Sequence, residues 1–489
     1  MAATVNADVV VLGAGPAGYV CAIRLAQLGK KVTVIDRAEV GGVCLNRGCI
    51  PSKALIYAGT MYDKVTKHTE EFGLTVKGAN LDMKKLIAWK ETVVKKLTGG
   101  VAGLLKANGC TTIAGDAKFT GPKSLEVKTA EGVQTVTFNQ CVIATGSRPA
   151  ALPGFEIDQK RILDSTGALN LTTQPKTLLC IGGGYIGLEL GTFYSKIGTQ
   201  VTVVEAGPGL LNGVDPDLTK VVAKNLAKRG VEVLLGTKIK SQKTVKDGIE
   251  VVFDGGSSSP GGAGGKESKK TFDVVLVTIG RIPNTDSLGL DKAGLKLDPK
   301  GFITVDPQRK TTVPSLYAIG DVAGQPLLAH KGSKEGMIAA EAIAGQKVAY
   351  DVLAMPAVIF VDPEIATVGI TEAEARAQGI EVKIGNFPFA ANGRALSVSE
   401  PDGFVKMIGD GKTGRLLGVH IVGAEASNLI SECALAIEMG AQVEDLALTV
   451  HPHPTLPETL MEAADATLGH AIHIFQKKAV PAPQPQAGV

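Results

Sequence analysis

The chain has almost no charge imbalance. Its 51 Lys and Arg face 48 Asp and Glu, a net +3, so it carries no electrostatic footprint for nucleic acid or an anionic membrane surface. It has no apolar run of the 18 or more residues that a spanning helix needs, which argues against a membrane segment. Cysteine is scarce and odd in number, seven in 489 residues, at positions 21, 44, 49, 110, 141, 180 and 433. That pattern argues for a reducing compartment and against a secreted disulfide scaffold, so any disulfide here is expected to be catalytic rather than structural. The first residues run straight into a strand and leave no room for a signal or transit peptide, unless one has been removed.

What the chain does have is glycine, 60 of 489 residues, in a composition that is 44% hydrophobic. This is typical of α/β nucleotide-binding proteins rather than of disorder, and the length suggests about three domains at ~150 residues each. Asp8–Leu12 reads as a short buried strand, followed at once by the loop Gly13-Ala-Gly15-Pro-Ala-Gly18 and a helix to about Gly29. A second strand, Lys31–Asp36, ends in an acid. The design recurs: strand Thr177–Ile181, loop Gly182-Gly-Gly184-Tyr-Ile-Gly187, helix to Gly198, and strand Gln200–Val204 ending at Glu205. One such loop is a weak signal. Two in register with strand, helix and acid imply two dinucleotides, or a duplicated scaffold with one site dead.

Three further segments read as strands ending in turns: Cys141 to Pro149 through Gly146, Val274 to Pro283 through Gly280, and Leu316 to Asp321. Ligands in open α/β sheets sit at such strand ends. Residues 254–270 form a polar, glycine-rich loop expected to join two strands of the second unit. From about residue 350 mixed strands and helices follow without a glycine loop, and the tail from Ala479 is Pro/Ala-rich and expected to be disordered.

Shortly after the first loop comes GGVCLNRGCIPSK, residues 41–53. Two residues five apart on a regular helix lie too far apart for a relaxed disulfide. If Cys44 and Cys49 bond, the chain must bend between them, and Gly48 permits a bend through positive φ. Pro51 suits the first turn of a helix. Cys49 would then lie at a helix N-terminus, where the dipole and Lys53 favour a thiolate. The alternative is a pair of buried structural thiols.

The third constellation is HPHPTLPE, residues 451–458. Pro457 can open a helix with Glu458 in its first turn. Glu458 could hold one ring nitrogen of His453 and leave the other as a base. The alternatives are a plain surface turn or a metal-binding His-x-His; no third or fourth ligand clusters nearby in sequence, which disfavours metal. Histidines 68, 330, 420, 470 and 473 carry no readable signal.

Taken together, GGVCLNRGCIPSK, GGGYIGLELG, TIGRIPNT, AIGDV and HPHPTLPE resemble, in order, the motifs of the pyridine nucleotide–disulfide oxidoreductases, over residues from about 5 to 475. The resemblance implies an α/β fold like that of glutathione reductase, with two Rossmann-like dinucleotide-binding domains and a C-terminal α+β dimerisation domain. Its boundaries would be an FAD domain over 1–150 carrying the disulfide, an NAD domain over 151–280, a return to the FAD domain over 281–350, a dimerisation domain over 351–475 and a tail over 476–489. It implies FAD at Gly13, Gly15, Gly18, Asp36, Lys53, Gly146, Asp321 and Ala329. It implies NAD at Gly182, Gly184, Gly187, Glu189, Glu205 and Gly280, and no metal. Its closest branch oxidises dihydrolipoamide, the reduced lipoyl group, with NAD⁺. In that scheme His453, supplied by the partner subunit of a homodimer and oriented by Glu458, deprotonates a substrate thiol. The thiolate attacks Cys44, and Cys49 is released toward the flavin. The partners implied are lipoyl domains and the E2 core of 2-oxo-acid dehydrogenase complexes, with no nucleic acid and no membrane. The setting implied is the cytoplasm, or the mitochondrial matrix if a transit peptide has been lost.

Glu205 is informative without the resemblance: a carboxylate at that strand end binds a ribose 2′-OH and repels a 2′-phosphate, which favours NAD over NADP. Two positions depart from the branch. Asp36 stands where many relatives have Glu, and Tyr185 is similar to the tyrosine that covers the nicotinamide side of the flavin in glutathione reductases. A mercuric reductase would need a C-terminal cysteine pair, and residues 434–489 contain no cysteine. A non-catalytic assembly subunit would be expected to have lost Cys44, Cys49, His453 or Glu458, and all four are present.

Overall fold

The structure is a computed structural model that describes residues 4–37, 39–254 and 267–476. It divides into two compact units, Met1–Pro208 with Val231–Asp351, and Gly209–Gly230 with Val352–Val489.

The first unit holds two parallel sheets. In one, Thr4–Leu12 lies between Val32–Asp36 and Gly132–Ile143, with Thr111–Ala114 beyond the former and Leu316–Ala318 pairing with the latter, all parallel. Ser124–Thr129 and Asp116–Gly121 extend it as antiparallel strands. In the other, Thr177–Ile181 lies between Gln200–Val204 and Val274–Val277, with Glu232–Leu234 and Ile162–Leu163 outside them, again parallel. Parallel strands are covered on both faces and so read as unbroken apolar runs. Val9, Val10 and Val11 are buried, as are Leu178, Leu179 and Cys180. Each central strand ends in its glycine loop, between neighbours reached in opposite directions along the sheet, which is where such sheets bind ligands.

Helices fix these sheets against each other's loops. Pro16–Gln27 packs on Ala329–Ile343 so closely that a Cβ on Gly336 would lie 2.6 Å from the Ala17 carbonyl oxygen. Cys49–Lys67 packs on Tyr185–Lys196, where a Cβ on Gly59 would lie 2.7 Å from the Phe193 ring. The Lys196 ammonium also donates to Thr60 Oγ1 at 2.9 Å across this contact. The helix that follows the cysteines is therefore seated on the helix that follows the second glycine loop.

A three-stranded antiparallel sheet, Lys238–Val245, Gly248–Asp254 and Ser268–Phe272, completes this unit. The loop expected over 254–270 is therefore shorter: Asp254 ends one strand, and Ser268, Lys269 and Lys270 pair in the next. Those adjacent lysines lie on an edge strand, and a polar run of this kind reads as loop by composition alone. Residues 255–266 between them, and the Pro/Ala-rich tail from Ala479, lie outside the described residues.

The second unit has a five-stranded antiparallel sheet, in the order Ala357–Ile359, Ile365–Gly369, Leu416–Val422, Phe404–Asp410, Val382–Pro388. Helices Ala426–Glu438, Val443–Leu448 and Glu458–Leu468 cover it, and Phe387, Met407, Val419, Ile421, Ile430 and Leu460 form part of the core between them. Among the described residues no helix is long and apolar enough to cross a membrane.

Candidate functional site

Gly41 (φ 99°) and Gly42 (φ 58°) turn the chain into a short helix, Gly42–Arg47. A Cβ on Gly42 would lie 2.6 Å from the Cα of Gly15, so the cysteine segment is pressed against the first glycine loop. Asn46 Nδ2 holds the turn by donating to the carbonyls of Val40 (3.1 Å) and Gly42 (2.9 Å). The helix breaks at Gly48, and Cys49 begins the next one, Cys49–Lys67, with Pro51 in its first turn.

Cys44 and Cys49 are joined as a disulfide with a Cα separation of 4.7 Å, inside the usual range of about 4.4–6.8 Å. The bend at Gly48 differs from the expectation, since its φ is −144° rather than positive. What glycine supplies there is room: a Cβ would lie 3.0 Å from the Val43 carbonyl oxygen. The other five cysteines are buried and free. Burial raises the thiols of Cys21, Cys110, Cys141 and Cys433, and pushes Cys180 up to about 12. A thiol so disfavoured as thiolate is a poor nucleophile. Cys44 is half-buried and Cys49 exposed, so the reactive sulfur chemistry is confined to this pair.

Around the first loop, Gly13 adopts φ 111°, and a Cβ there would sit 2.3 Å from the Ala144 carbonyl oxygen. The helix Pro16–Gln27 starts at Gly15 with no side-chain cap and no acid in its first turn. Its first N–H groups and dipole are thus free to meet a phosphate. Asp36, at the end of the second strand, accepts the Ala14 N–H at 2.6 Å. Gly146 (φ 70°) follows the strand Gly132–Ile143. Asp321 lies in the turn Gly320–Ala323 and accepts Ser147 Oγ at 2.5 Å, while Arg281 Nε donates to the same hydroxyl at 2.7 Å. Ala329 opens the helix Ala329–Ile343. Beneath the turn, Glu335 is fully buried and accepts the Gly320 N–H at 2.7 Å, with Arg309 (2.9 Å) and Lys331 (3.1 Å) on its other oxygen. The uncapped helix, the glycine cradle and Asp321 beside a strand end fit a dinucleotide with a polyhydroxyl chain.

The second loop repeats the plan. Gly182 has φ 104°, and a Cβ there would lie 2.5 Å from the Thr278 carbonyl oxygen; one on Gly187 would lie 2.5 Å from Thr278 Oγ1. Helix Tyr185–Lys196 starts at Gly184, again without a side-chain cap. Glu205 accepts the N–H groups of Gly183 (2.7 Å) and Gly207 (2.6 Å), which aims the carboxylate along the loop. Gly280 has φ 135° just past the strand Val274–Val277. A second phosphate-bearing ligand fits here on the same grounds.

Lys53 and Glu189, expected to serve different cofactors, form one ion pair, Nζ to Oε2 at 2.8 Å, with Glu189 only 5% exposed. Lys53 is thus directed at Glu189, four residues along the helix from Cys49. Tyr185 stands close enough to Arg281, Asp321 and Glu189 to feel their charge. Burial raises its phenol, against the opposing effect of Arg281 and with Asp321 and Glu189 adding to the rise. Ser147, Arg281 and Glu335 were not singled out from the sequence. Apart from Lys331, which is one helical turn from Glu335, the partners named lie 15 to 174 residues away, and no local pattern signals those contacts.

In the second unit, Glu458 opens the helix Glu458–Leu468 and places Oε1 at 2.9 Å from His453 Nδ1. Its Oε2 accepts the Thr455 N–H at 2.8 Å. Burial acts to raise the Glu458 carboxyl, but the Thr455 N–H and the His453 ring outweigh it and hold the group below its ordinary value. A carboxylate on Nδ1 puts the ring proton there and leaves Nε2 with its lone pair. The His453 side chain is 78% exposed, against 17% for Glu458. The pair presents a base to the surroundings, held from behind.

Comparison with known proteins assigns both parts of the chain. Residues 7–336 match the family described as pyridine nucleotide-disulphide oxidoreductase, and residues 355–464 match its dimerisation domain. A dihydrolipoyl dehydrogenase of Geobacillus stearothermophilus is 49% identical over 473 residues, covering 97% of this chain and 98% of the relative. One from Bacillus subtilis (strain 168) is also 49% identical, covering 96% and 98%. The crystal structure of LpdA (Rv3303c) from Mycobacterium tuberculosis superposes with a TM-score of 0.85 at 28% identity, covering 94% of this chain and 99% of that one.

Proposed function

The chain belongs to the pyridine nucleotide–disulphide oxidoreductase family, and within it we propose that it oxidises dihydrolipoyl groups to the cyclic disulfide while reducing NAD⁺ to NADH. The observation that carries this reading is the Cys44–Cys49 disulfide, with Cys49 exposed at a helix N-terminus and the segment bearing Cys44 pressed against a dinucleotide loop. FAD, held by Gly13, Gly15, Gly18, Asp36, Lys53, Gly146, Asp321 and Ala329, supplies the two-electron chemistry between dithiol and nicotinamide. NAD is held by Gly182, Gly184, Gly187, Glu189, Glu205 and Gly280, with Glu205 selecting the unphosphorylated ribose.

The side chains divide the work as follows. His453 Nε2 takes the proton of one substrate thiol, and Glu458 stabilises the imidazolium that results. The substrate thiolate attacks Cys44 Sγ; the Cys44–Cys49 bond breaks, and its electron pair leaves on Cys49 as a thiolate. The N-terminus of helix Cys49–Lys67 favours that charge. The second substrate thiol attacks the first sulfur and passes its proton to the departing Cys44 sulfur, closing the lipoyl ring and releasing Cys44 as a thiol. The disulfide re-forms when the two electrons and one of the two substrate protons have left as the hydride of NADH and the other proton has gone to solvent. Tyr185, flanked by Arg281, Asp321 and Glu189, covers the nicotinamide side of the site.

The His453–Glu458 pair acts on the disulfide of the partner subunit in a homodimer. The matched dimerisation domain supports this, as does an apolar group on the second unit left exposed on one chain: Leu435, Met439, Leu448, Val450, Ile472 and Phe475. The physiological substrate is then a lipoyl domain of a 2-oxo-acid dehydrogenase complex, in the reducing setting of the cytoplasm. The test is NADH formation from dihydrolipoamide and NAD⁺ by the purified protein carrying FAD. Rapid turnover is expected. A flavin-replete protein with no turnover would refute the reading and point to another disulfide substrate or to an assembly role.

A further inference from the structure

His451 is not used by that scheme, yet it is the more firmly held of the two histidines. Its side chain is only 4% exposed. Nδ1 lies 2.8 Å from the Thr449 carbonyl oxygen, and Nε2 lies 2.9 Å from Glu432 Oε1. Both neighbours are acceptors, and a neutral imidazole has one N–H. Both bonds form together only when the ring carries two protons, and the Glu432 carboxylate balances the charge that results.

We propose that Glu432 and His451 form a positioning pair that anchors the segment bearing His453 to the helix Ala426–Glu438. The proposal rests on the reading of His453 given above and extends it. His453 has its Glu458 contact 2.9 Å away within its own segment, and its side chain is 78% exposed. From outside this segment, Glu432 holds it two residues before His453, and the buried Asn392 holds it two residues after, its Nδ2 donating to the Thr455 carbonyl at 3.0 Å. Pro452 and Pro454 flank His453, and proline fixes φ on either side, so a displacement at His451 is carried to His453 with little slack. Glu432 also lines, with Arg394, Asn428, Thr455 and Pro457, a cavity of about 450 Å³ walled by this segment. The charges around His451 agree. The Glu432 bond raises the ring above its ordinary value; burial opposes this, while the Thr449 carbonyl and the charges of Glu432 and Glu458 add to the rise.

The test is a double-mutant cycle on the FAD-bound protein with Glu432→Ala, His451→Ala and both together. It reads kcat with dihydrolipoamide and, separately, reduction of ferricyanide by NADH, a flavin reaction that needs no base at His453. Each single variant is expected to lose about tenfold in dihydrolipoamide kcat, within the range for misplacing a reacting group. The double variant should lose no more than either, because one bond is being removed twice. Glu432→Gln, which can still bond the ring, should recover most of the rate. Ferricyanide reduction and flavin content should stay at the wild-type level throughout. Additive losses, single variants at the wild-type rate, or a ferricyanide rate that falls in step would each overturn the pair. If the wild type itself lacks dihydrolipoamide turnover, the functional reading fails and this inference with it; a flat cycle on an active wild type refutes the pair alone.

Discussion

Replacing Glu458 by Gln should separate proton transfer from everything else the protein does. The Gln side chain has the same length and can still accept the Thr455 N–H, so the start of helix Glu458–Leu468 is preserved. What disappears is the negative charge 2.9 Å from His453 Nδ1 and, because the single Gln oxygen stays on Thr455, the acceptor for that ring nitrogen too. With an unprotonated ring, as a base requires, that contact is a hydrogen bond from Nδ1–H to the carboxylate. When the ring takes the substrate proton it becomes an ion pair, so the lost interaction belongs mainly to the transition state. A hydrogen bond to a charged group is worth about 1.5–3 kcal/mol. At about 1.4 kcal/mol per factor of ten, kcat with dihydrolipoamide should fall by roughly 10- to 150-fold. The assay is steady-state NADH formation over a range of dihydrolipoamide, with NADH–ferricyanide reduction as the reference for an intact flavin and NAD site. The reasoning is refuted if dihydrolipoamide kcat falls by less than about twofold, or if the ferricyanide rate falls equally, since a lost transition-state charge is worth more than that.

Other expectations follow from the same geometry. Cys44→Ser should abolish dihydrolipoamide turnover while the protein stays yellow, as measured by flavin absorbance after gel filtration; retained activity would rule out attack at Cys44. Glu205→Ser, with an Arg introduced nearby, should raise the ratio of NADP to NAD use, measured as kcat/KM for each; an unchanged ratio would mean that Glu205 does not read the ribose. Gly13→Val places side-chain carbon where 2.3 Å separates a Cβ from the Ala144 carbonyl, at φ 111°, and should yield apoprotein of lower Tm; normal flavin content would contradict the cradle. The Glu458 carboxyl is held below its ordinary value, so the stability it contributes is present above about pH 4.3 and is lost as pH falls through the folded value. The Tm difference between wild type and Glu458→Gln should therefore close in acid, and a difference that stays constant there would argue against that shift.

Much of this was readable in the sequence because the signals are local. Each buried strand, glycine loop and helix occupies a short stretch, and the apolar runs Val9–Val11 and Leu178–Cys180 announce strands covered on both faces. The cysteine segment is also short-range: Gly48 and Pro51 say where one helix must end and another begin. The value of φ at Gly48 did not follow, since glycine's room mattered there and its left-handed freedom did not. The contacts that tie the loops together were not readable. Lys53 meets Glu189 across 136 residues, Ser147 meets Asp321 across 174, and Arg309 meets Glu335 under a turn. These depend on which elements the fold brings together, and a single chain's local pattern does not encode that. The edge strand Ser268–Phe272 was missed for a related reason. Its exposed polar residues are held by pairing with Gly248–Asp254, not by a hydrophobic pattern of their own.

The central claim is that substrate electrons enter through the Cys44–Cys49 bond. The most direct measurement is anaerobic treatment of the oxidised protein with one equivalent of dihydrolipoamide, without NAD⁺, followed by alkylation and peptide mass analysis. The account predicts two newly alkylated cysteines, Cys44 and Cys49, with the five buried thiols unmodified. Unmodified Cys44 and Cys49 in a protein that nonetheless forms NADH from dihydrolipoamide would contradict it.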